Sequence, residues 1–184
     1  MLQCKRLRLA RQLASAVLQF HTTPFLEESW RSEDVIFFEI GNGSQKPSEL
    51  REPHLNVNVR AQKGKKSITP STDLINTNPY TFGLGVVLLE LAYQAPLRSF
   101  QESVDLTDDQ ETQYTNFFIA DRLSKTLSSE LGVPYAKMVR KCLSCDFGQG
   151  TRDLNEDCLQ EAFYRDVVSE LDRLEQSFAR IQIG

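Results

Sequence analysis

Apolar residues recur in the opening segment of the chain at the three- and four-residue spacing of an amphipathic helix. They predict a first helix that ends before Pro24, because a proline disfavours helical geometry in the residue before it. The stripe consists of Leu7, Ala10, Leu13, Ala14, Val17 and His21. Residues 80–94 are apolar on every side and are followed by Pro96. This second pattern predicts a helix buried at the centre of the fold.

The next pattern predicts two helices separated by a glycine. The third helix covers about 114–130, with its apolar positions on one side, and Gly132 ends it. Pro134 opens the fourth helix, because a proline in the first turn removes no helical hydrogen bond.

The last helix is predicted from about 156 to 180, with Asn155 or Asp157 as its N-cap. Its apolar stripe ends with Leu174 and Phe178, which continue past the expected edge of the domain. These two side chains therefore belong either to the core or to a contact that docks into the groove of a partner.

Two short segments in the N-terminal third have the composition of β-strands. Residues 35–40 form a β-prone run closed by Gly-Asn-Gly, and residues 54–59 alternate apolar with polar side chains. Residues 41–79 are otherwise polar and rich in Gly, Pro, Ser, Asn and Lys, which predicts a long loop. The sequence thus predicts one domain over residues 1–184, mainly α, with two or three short β-strands.

Composition and charge argue against several classes of function. The net charge is −4 and the sequence pI is about 5.3, which disfavours a protein that coats nucleic acid. The longest strongly apolar stretch, Phe82 to Tyr93, is too short to span a bilayer. No uninterrupted apolar run of a signal peptide follows the basic N-terminus. We expect a cytoplasmic protein with no membrane span and no nucleic-acid partner.

The cysteines form no recognisable metal or redox motif. Cys142 and Cys145 make a CxxC pair, but a zinc site would need a second pair, and only Cys4, Cys158 and two scattered histidines remain. A redox CxxC normally lies at a helix N-terminus, whereas this pair falls near the end of a predicted helix. We therefore expect buried thiols and no bound metal or cofactor.

The order of these elements resembles the C-terminal lobe of a protein kinase. Leu7 to His21 looks like the helix before the kinase catalytic loop, and Glu33 to Phe38 looks like the strand after that loop. Tyr80 to Leu91 resembles the buried central kinase helix, and Met138 to Phe147 resembles the segment with the kinase "KCL" pattern. The resemblance implies a kinase C-lobe-like fold without the N-terminal lobe.

A closer resemblance rests on LARQLASAVLQFHTTPFLEESW, VIFF and NPYTFGLGVVLLEL. These segments are similar to an uncharacterised fungal kinase-like domain, which is often joined to HeLo-type or prion-inhibition and propagation modules. Such modules occur in cell-death and allorecognition proteins. The resemblance implies a role in fungal self/non-self recognition or cell-death signalling.

The chain departs from the kinase pattern at the positions that carry catalysis. With Asp34 at the metal-binding Asn position, Ser29 takes the place of the catalytic Asp, and a serine accepts no proton at neutral pH. No Asp-Phe-Gly occurs between 41 and 79, where the single aspartate is Asp73. Tyr80 replaces the aspartate that opens the central helix. No Gly-rich phosphate loop occurs anywhere in the sequence. These departures predict that the chain is not an enzyme.

The segment that replaces the catalytic loop contains Phe25, Leu26 and Trp30. These residues either line a groove for a partner or fill the space where a substrate would lie, and we favour filling for Trp30. His21 invites interpretation as a general base, but a histidine on an apolar stripe is more often a hydrogen-bonded core residue. Gly83 and Gly85 lie inside an apolar helix, which indicates close packing and not phosphate binding.

We expect a non-catalytic, pseudokinase-like scaffold or regulatory module that binds a partner. The partner is either another protein or a missing N-terminal region of the same polypeptide. The alternative is a residual nucleotide-binding or phosphotransferase half-domain that needs a second lobe. The candidate partner-binding residues are Phe25, Leu26, Trp30, Leu174 and Phe178.

Overall fold

The structure is a computed structural model that describes residues 3–37, 53–55, 77–108, 110–112 and 114–181. It is mainly helical, as the sequence predicts. Most of the predicted loop at 41–79 lies outside the described residues, as do 38–40 and 56–59 of the two predicted strands. The helices of the described part are α1 (Gln3–Phe20), α2 (Pro79–Tyr93), α3 (Thr115–Thr126), α4 (Ser128–Ser144), α5 (Asp157–Phe163) and α6 (Ser169–Ile181).

The N-terminal third contains a small antiparallel pairing. β1 (Val35–Phe37) lies beside β2 (Pro53–Leu55), with Val35 opposite Leu55 and Phe37 opposite Pro53. A 3₁₀ turn at Ser32–Asp34 leads into β1. The pairing therefore begins directly after the loop that follows α1.

A break inside α4 depends on one glycine. α4 begins two residues after α3 ends, and the backbone leaves helical geometry at Leu131 and Gly132, where Gly132 has a φ of 84°. A positive φ suits glycine because it has no Cβ. The helix resumes with Pro134 in its first turn, which confirms the predicted interruption at Gly132.

The predicted N-cap of the last helix is wrong. Glu156 occupies the cap position of α5 without a side-chain hydrogen bond. The Asn155 side chain instead donates to Oδ1 of Asp153 at 2.7 Å, and Asp157 already lies inside the helix. A π-helical turn, Tyr164–Val168, joins α5 to α6. The predicted span from about 156 to 180 is thus two α-helices joined by a π-turn.

α2 is the central helix, and its N-terminus is fixed by a side-chain cap. Oδ1 of Asn78 accepts from the backbone N–H of Tyr80 at 3.0 Å, and Pro79 occupies the first helical turn. The helix ends at Gln94, which adopts left-handed geometry with a φ of 58°. The start of the helix therefore follows from capping chemistry in the sequence.

Polar contacts to the α2 backbone come from the helices on either side. The Tyr135 hydroxyl on α4 donates to the carbonyl oxygen of Leu88 at 2.9 Å within the core. Nη1 of Arg6 on α1 donates to the carbonyl oxygen of Ala92 at 2.9 Å, near the α2 C-terminus. α3 also packs on α2, so three helices surround most of the central one.

One face of α2 is left partly uncovered by the described residues. Its residues are only partly buried and follow the spacing of a single helical face: Pro79, Phe82, Gly83, Val86 and Glu90. The prediction of a helix buried on every side is wrong for this face, because α1, α3 and α4 occupy the other sides. The open face forms one wall of the pocket described below.

α6 is held on α1 by an ion cluster. Glu175 accepts from Nε of Arg8 at 2.8 Å and from Nε of Arg11 at 3.0 Å. Burial raises the pKa of the Glu175 carboxyl, but its hydrogen bonds with both arginines outweigh burial and hold that pKa below its usual value. Leu171 and Leu174 lie in the core beside this cluster. The cluster therefore fixes the last helix against the first.

A second ion cluster fixes the segment after α2, which contains 3₁₀ turns at Leu97–Phe100 and Ser103–Asp105. Nε and Nη2 of Arg122 on α3 donate to the two carboxylate oxygens of Asp105 at 3.0 and 2.7 Å. The hydrogen bond with Arg122 holds the pKa of the buried Asp105 carboxyl below its usual value. This pair anchors the segment beside the uncovered face of α2.

None of the described helices combines the length and the apolar composition needed to cross a membrane.

Candidate functional site

The loop after α1 folds back by a series of short turns. The N–H of Thr23 donates to the carbonyl oxygen of Phe20 at 2.9 Å, and the N–H of Trp30 donates to that of Glu27 at 3.1 Å. The Thr23 hydroxyl also donates to the Phe20 carbonyl oxygen at 2.7 Å. These turns return the chain to the N-terminal half of α2.

Trp30 is the residue that fixes the loop against α2. Its side chain is 4% exposed, and its indole Nε1–H donates to the carbonyl oxygen of Tyr80 through a long hydrogen bond of 3.4 Å. Gly83 allows this approach, because a Cβ at Gly83 would lie 2.8 Å from Nε1 of Trp30. Gly85 similarly faces Leu143, with 2.7 Å between an added Cβ and Cδ2 of Leu143. The prediction that both glycines serve close packing is confirmed.

A pocket of about 300 Å³ lies between this loop and the uncovered face of α2. Residues 28–33 form one side and residues 96–98 form another, while Thr77 and Asn116 complete the lining. The α2 face contributes Pro79, Phe82, Gly83, Val86 and Glu90. Apolar and polar side chains thus both line the pocket.

Glu90 is the polar residue that α2 contributes to the pocket. Its Oε1 accepts from the backbone N–H of Leu97 at 2.8 Å, which fixes the orientation of the carboxylate. Its Oε2 is buried and has no hydrogen-bond partner in the described part of the chain. One oxygen of this carboxylate is therefore committed to the protein and the other is left for an added donor.

Other polar and charged side chains line the pocket together with Glu90. Oδ1 of Asn116 is also buried, without a hydrogen-bond partner among the described residues. Glu28 and Glu33 add carboxylates, and Arg31 and Arg98 add guanidinium groups. Burial and then the charge of Glu28 raise the pKa of the Tyr80 hydroxyl, which lies at the start of α2.

The structure separates the five residues that the sequence predicted for partner binding. Trp30 lines the pocket, whereas Leu26 is buried in the core and Phe25 is 54% exposed outside the lining. Leu174 is only 7% exposed because α6 packs on α1, and Phe178 packs partly buried against the core. Leu26 and Leu174 therefore lie in the core, which for Leu174 is one of the two alternatives that the sequence left open.

The positions compared with kinase catalytic residues lie at the pocket and in the turn before β1. Ser29 lines the pocket, and Oδ2 of Asp34 accepts from the backbone N–H of Arg31 at 2.8 Å. His21 is buried, with Nδ1 3.0 Å from the carbonyl oxygen of Leu18 and its ring edge-on to Tyr80. His21 is thus a buried residue with one hydrogen-bonded ring nitrogen, as the sequence predicts.

The CxxC thiols are both buried, as expected. Burial raises the pKa of the Cys142 thiol, and burial likewise raises that of Cys145. Cys158 is exposed and Cys4 is half-buried. Among the described residues, no group of three or more His, Cys, Asp or Glu side chains is arranged to hold a metal ion.

Comparison with protein families gives a match over residues 3–178, to a family described as a domain of unknown function (DUF7580). The chain belongs to this family. No curated protein and no solved structure matches the chain.

One residue in the sequence of this DUF7580 domain indicates where the pocket lies. Glu90 is the only charged residue of α2, in a helix that is otherwise apolar or uncharged. A single charge in such a helix is expected to have a buried partner or to face an opening. Asn116, Leu97 and Arg98 carry no comparable indication, because their place at the pocket depends on how α3 and the segment after α2 pack.

Proposed function

We propose that this DUF7580 domain is a non-catalytic, pseudokinase-like module that binds a protein partner. The observation that carries the proposal is the position of Trp30, whose buried side chain lies against Tyr80 and Gly83 at the start of the central helix. The indole occupies the space beside the start of the helix and leaves in front of it only a pocket of about 300 Å³. Ser29, one residue earlier, offers a hydroxyl where phosphotransfer would need a carboxylate base.

The order of the elements supports the kinase C-lobe-like part of the proposal. α1 is followed by a loop and the short strand β1, and the next described helix is the central α2 with its capped N-terminus. α3 and α4 then pack on α2. The same order is expected of a kinase C-lobe, in which a catalytic loop lies between a helix and the buried central helix.

The size and lining of the pocket favour a protein partner over a nucleotide. A volume of about 300 Å³ is at the lower end of the range for pockets that bind drug-sized molecules, roughly 300–1,000 Å³. The size suits a single inserted side chain. The partner is another protein or an N-terminal region of the same polypeptide, in a cytoplasmic setting of fungal self/non-self recognition or cell-death signalling.

A phosphotransfer assay tests the non-catalytic part. The purified chain is incubated with radiolabelled Mg-ATP and a generic protein substrate, and labelled protein and released phosphate are both measured. We expect the wild-type chain to label protein and to release phosphate no faster than a Trp30→Ala variant or a heat-denatured sample does. Turnover that needs magnesium and is lost in Ser29→Ala would instead support a residual phosphotransferase.

A further inference from the structure

Two buried oxygen atoms at the pocket lack hydrogen-bond partners among the residues that the structure describes. They are Oε2 of Glu90 and Oδ1 of Asn116, and both residues line the pocket. Buried polar atoms in folded proteins almost always have a partner, since an unsatisfied buried acceptor destabilises the fold. Both atoms are acceptors. The group that would satisfy them is therefore a hydrogen-bond donor.

The charges around the pocket favour a donor that is positively charged. Glu28, Glu33 and Glu90 contribute three carboxylates to the lining. Of the two lining guanidinium groups, that of Arg98 is already paired with Glu111 at 2.6 Å, a residue outside the lining. The carboxylate of Glu90 is partly buried and fixed in orientation by Leu97, so an opposite charge beside it is screened less than one at the surface.

The walls of the pocket favour a cation with a flat head and an apolar stem. Trp30 and Phe82 provide aromatic surface, and Val86 and Leu97 provide aliphatic surface. A guanidinium group is planar, carries five donors and stacks on aromatic rings, whereas an ammonium group is a compact and strongly hydrated charge. The methylene groups of an arginine can cover the aliphatic surface while the head reaches the acceptors.

We infer that this pocket receives an arginine side chain from a protein partner, with Glu90 and Asn116 as acceptors and Trp30 and Phe82 as aromatic walls. This inference rests on the proposed function, because it names the chemistry by which the module recognises its partner. Glu28 and Glu33 add negative charge to the pocket lining.

The single tryptophan makes the inference directly testable. Trp30 is the only tryptophan of the chain, so its indole N–H gives one resonance in a ¹H–¹⁵N spectrum. The probe is Nα-acetyl-arginine amide, which resembles an arginine within a polypeptide. The matched neutral probe is Nα-acetyl-citrulline amide, which has nearly the same shape without the charge. We expect a saturable shift with the arginine probe, with a dissociation constant of about 1 mM for one side chain, and no saturable shift with citrulline.

Two variants and one control assign the effect to the pocket. Glu90→Gln keeps an oxygen for the Leu97 N–H and removes the charge, and we expect binding about tenfold weaker or lost. Asn116→Ala is a second test of the pocket. It replaces Glu90→Gln if that substitution changes the thermal midpoint of the protein. Glu130→Gln removes an exposed carboxylate outside the pocket lining and should bind as the wild type does.

The inference is overturned if the arginine probe causes no saturable shift, if citrulline acts equally, or if Glu90→Gln and Asn116→Ala both bind as the wild type does. None of these results bears on phosphotransfer or nucleotide binding. A failure of the proposed function would appear separately, as magnesium-dependent turnover or ATP binding.

Discussion

A Cβ atom on Gly83 would lie 2.8 Å from the indole Nε1 of Trp30, closer than such atoms approach in folded proteins. The backbone carbonyl oxygen of Trp30 would lie only 3.2 Å from the same Cβ. Gly83 therefore lets the loop after α1 lie directly on the central helix. The position of the loop and one wall of the pocket both depend on this contact.

Gly83→Ala should destabilise the protein, although a glycine-to-alanine change inside a helix is ordinarily favourable by up to about 1 kcal/mol. The added methyl group must displace the Trp30 indole, and overpacking of this kind typically costs about 1–3 kcal/mol. Urea unfolding followed by far-UV circular dichroism measures the change. The same substitution in a Trp30→Phe background removes Nε1, the closest atom, and should be less destabilising. An equal loss in both backgrounds would contradict the steric explanation.

Asp105→Asn should lower stability at neutral pH, because it removes the carboxylate that accepts two hydrogen bonds from Arg122. A hydrogen bond to a charged group contributes about 1.5–3 kcal/mol. Hydrogen bonding to Arg122 holds the folded-state pKa of Asp105 below the ordinary aspartate value of 3.8, so the stabilisation by the Asp105 carboxylate is complete above that value. The contribution disappears as the pH falls through the lower folded-state pKa.

Unfolding of the wild type and of Asp105→Asn should therefore be compared across the acidic range. The difference in the free energy of unfolding should be constant near neutral pH and decrease below the ordinary aspartate pKa. A difference that grows as the pH falls would have the wrong sign for a depressed pKa. Asp108→Asn, at an exposed position, is the control and should show little difference at any pH.

The four cysteines should react with a thiol reagent at different rates. Cys158 is exposed and should react first in the native protein, whereas Cys142 and Cys145 are buried with raised thiol pKa values. A chromogenic disulfide reagent at pH 8 follows the reaction, and each group of thiols with a different rate gives a separate kinetic phase. Cys158→Ser should remove the fast phase, and denaturant should release the two protected thiols. Rapid native-state reaction of Cys142 or Cys145 would contradict their place in the core.

Leu174→Ala and Phe25→Ala distinguish a core role from a surface role. Leu174 lies in the core where α6 packs on α1, and a buried leucine-to-alanine change costs about 2–5 kcal/mol. Phe25 is exposed, so its replacement should change stability by no more than about 0.5 kcal/mol. Chemical denaturation measures both. Equal effects of the two variants would contradict the packing described for α6.

Local sequence features predicted the helices well because each helix carries its own signal. α2 combines a continuous apolar run with Asn78 and Pro79 at its start, and Gly132 interrupts α4 where only a glycine suits the backbone. The N-cap of α5 was missed because Asn155 hydrogen-bonds to Asp153 instead. That competition between two local partners is not visible in residue preferences.

The pocket could not be predicted from periodicity. It exists because the segment from Leu97 to Asp105, anchored by Arg122, and the loop that carries Trp30 stop short of meeting over α2. Such a gap depends on contacts between residues far apart in the sequence. Trp30 and Tyr80, which are joined by a hydrogen bond, are separated by 50 positions. The lone charge of Glu90 is the only one of these features that the sequence displays.

Nucleotide binding tests the central claim most directly, because a module that recognises a protein partner in place of ATP should be indifferent to Mg-ATP. The measurement is a thermal melt of the purified chain with millimolar Mg-ATP and, as the control, with the same ATP in excess EDTA. Ligand at about 100 times its dissociation constant adds roughly 2.7 kcal/mol, and each kcal/mol moves the midpoint by about 2–4 °C in a domain of this size. We predict a cooperative transition with the same midpoint in both samples. A magnesium-dependent rise of roughly 5–10 °C would contradict the account and point to a residual nucleotide-binding domain.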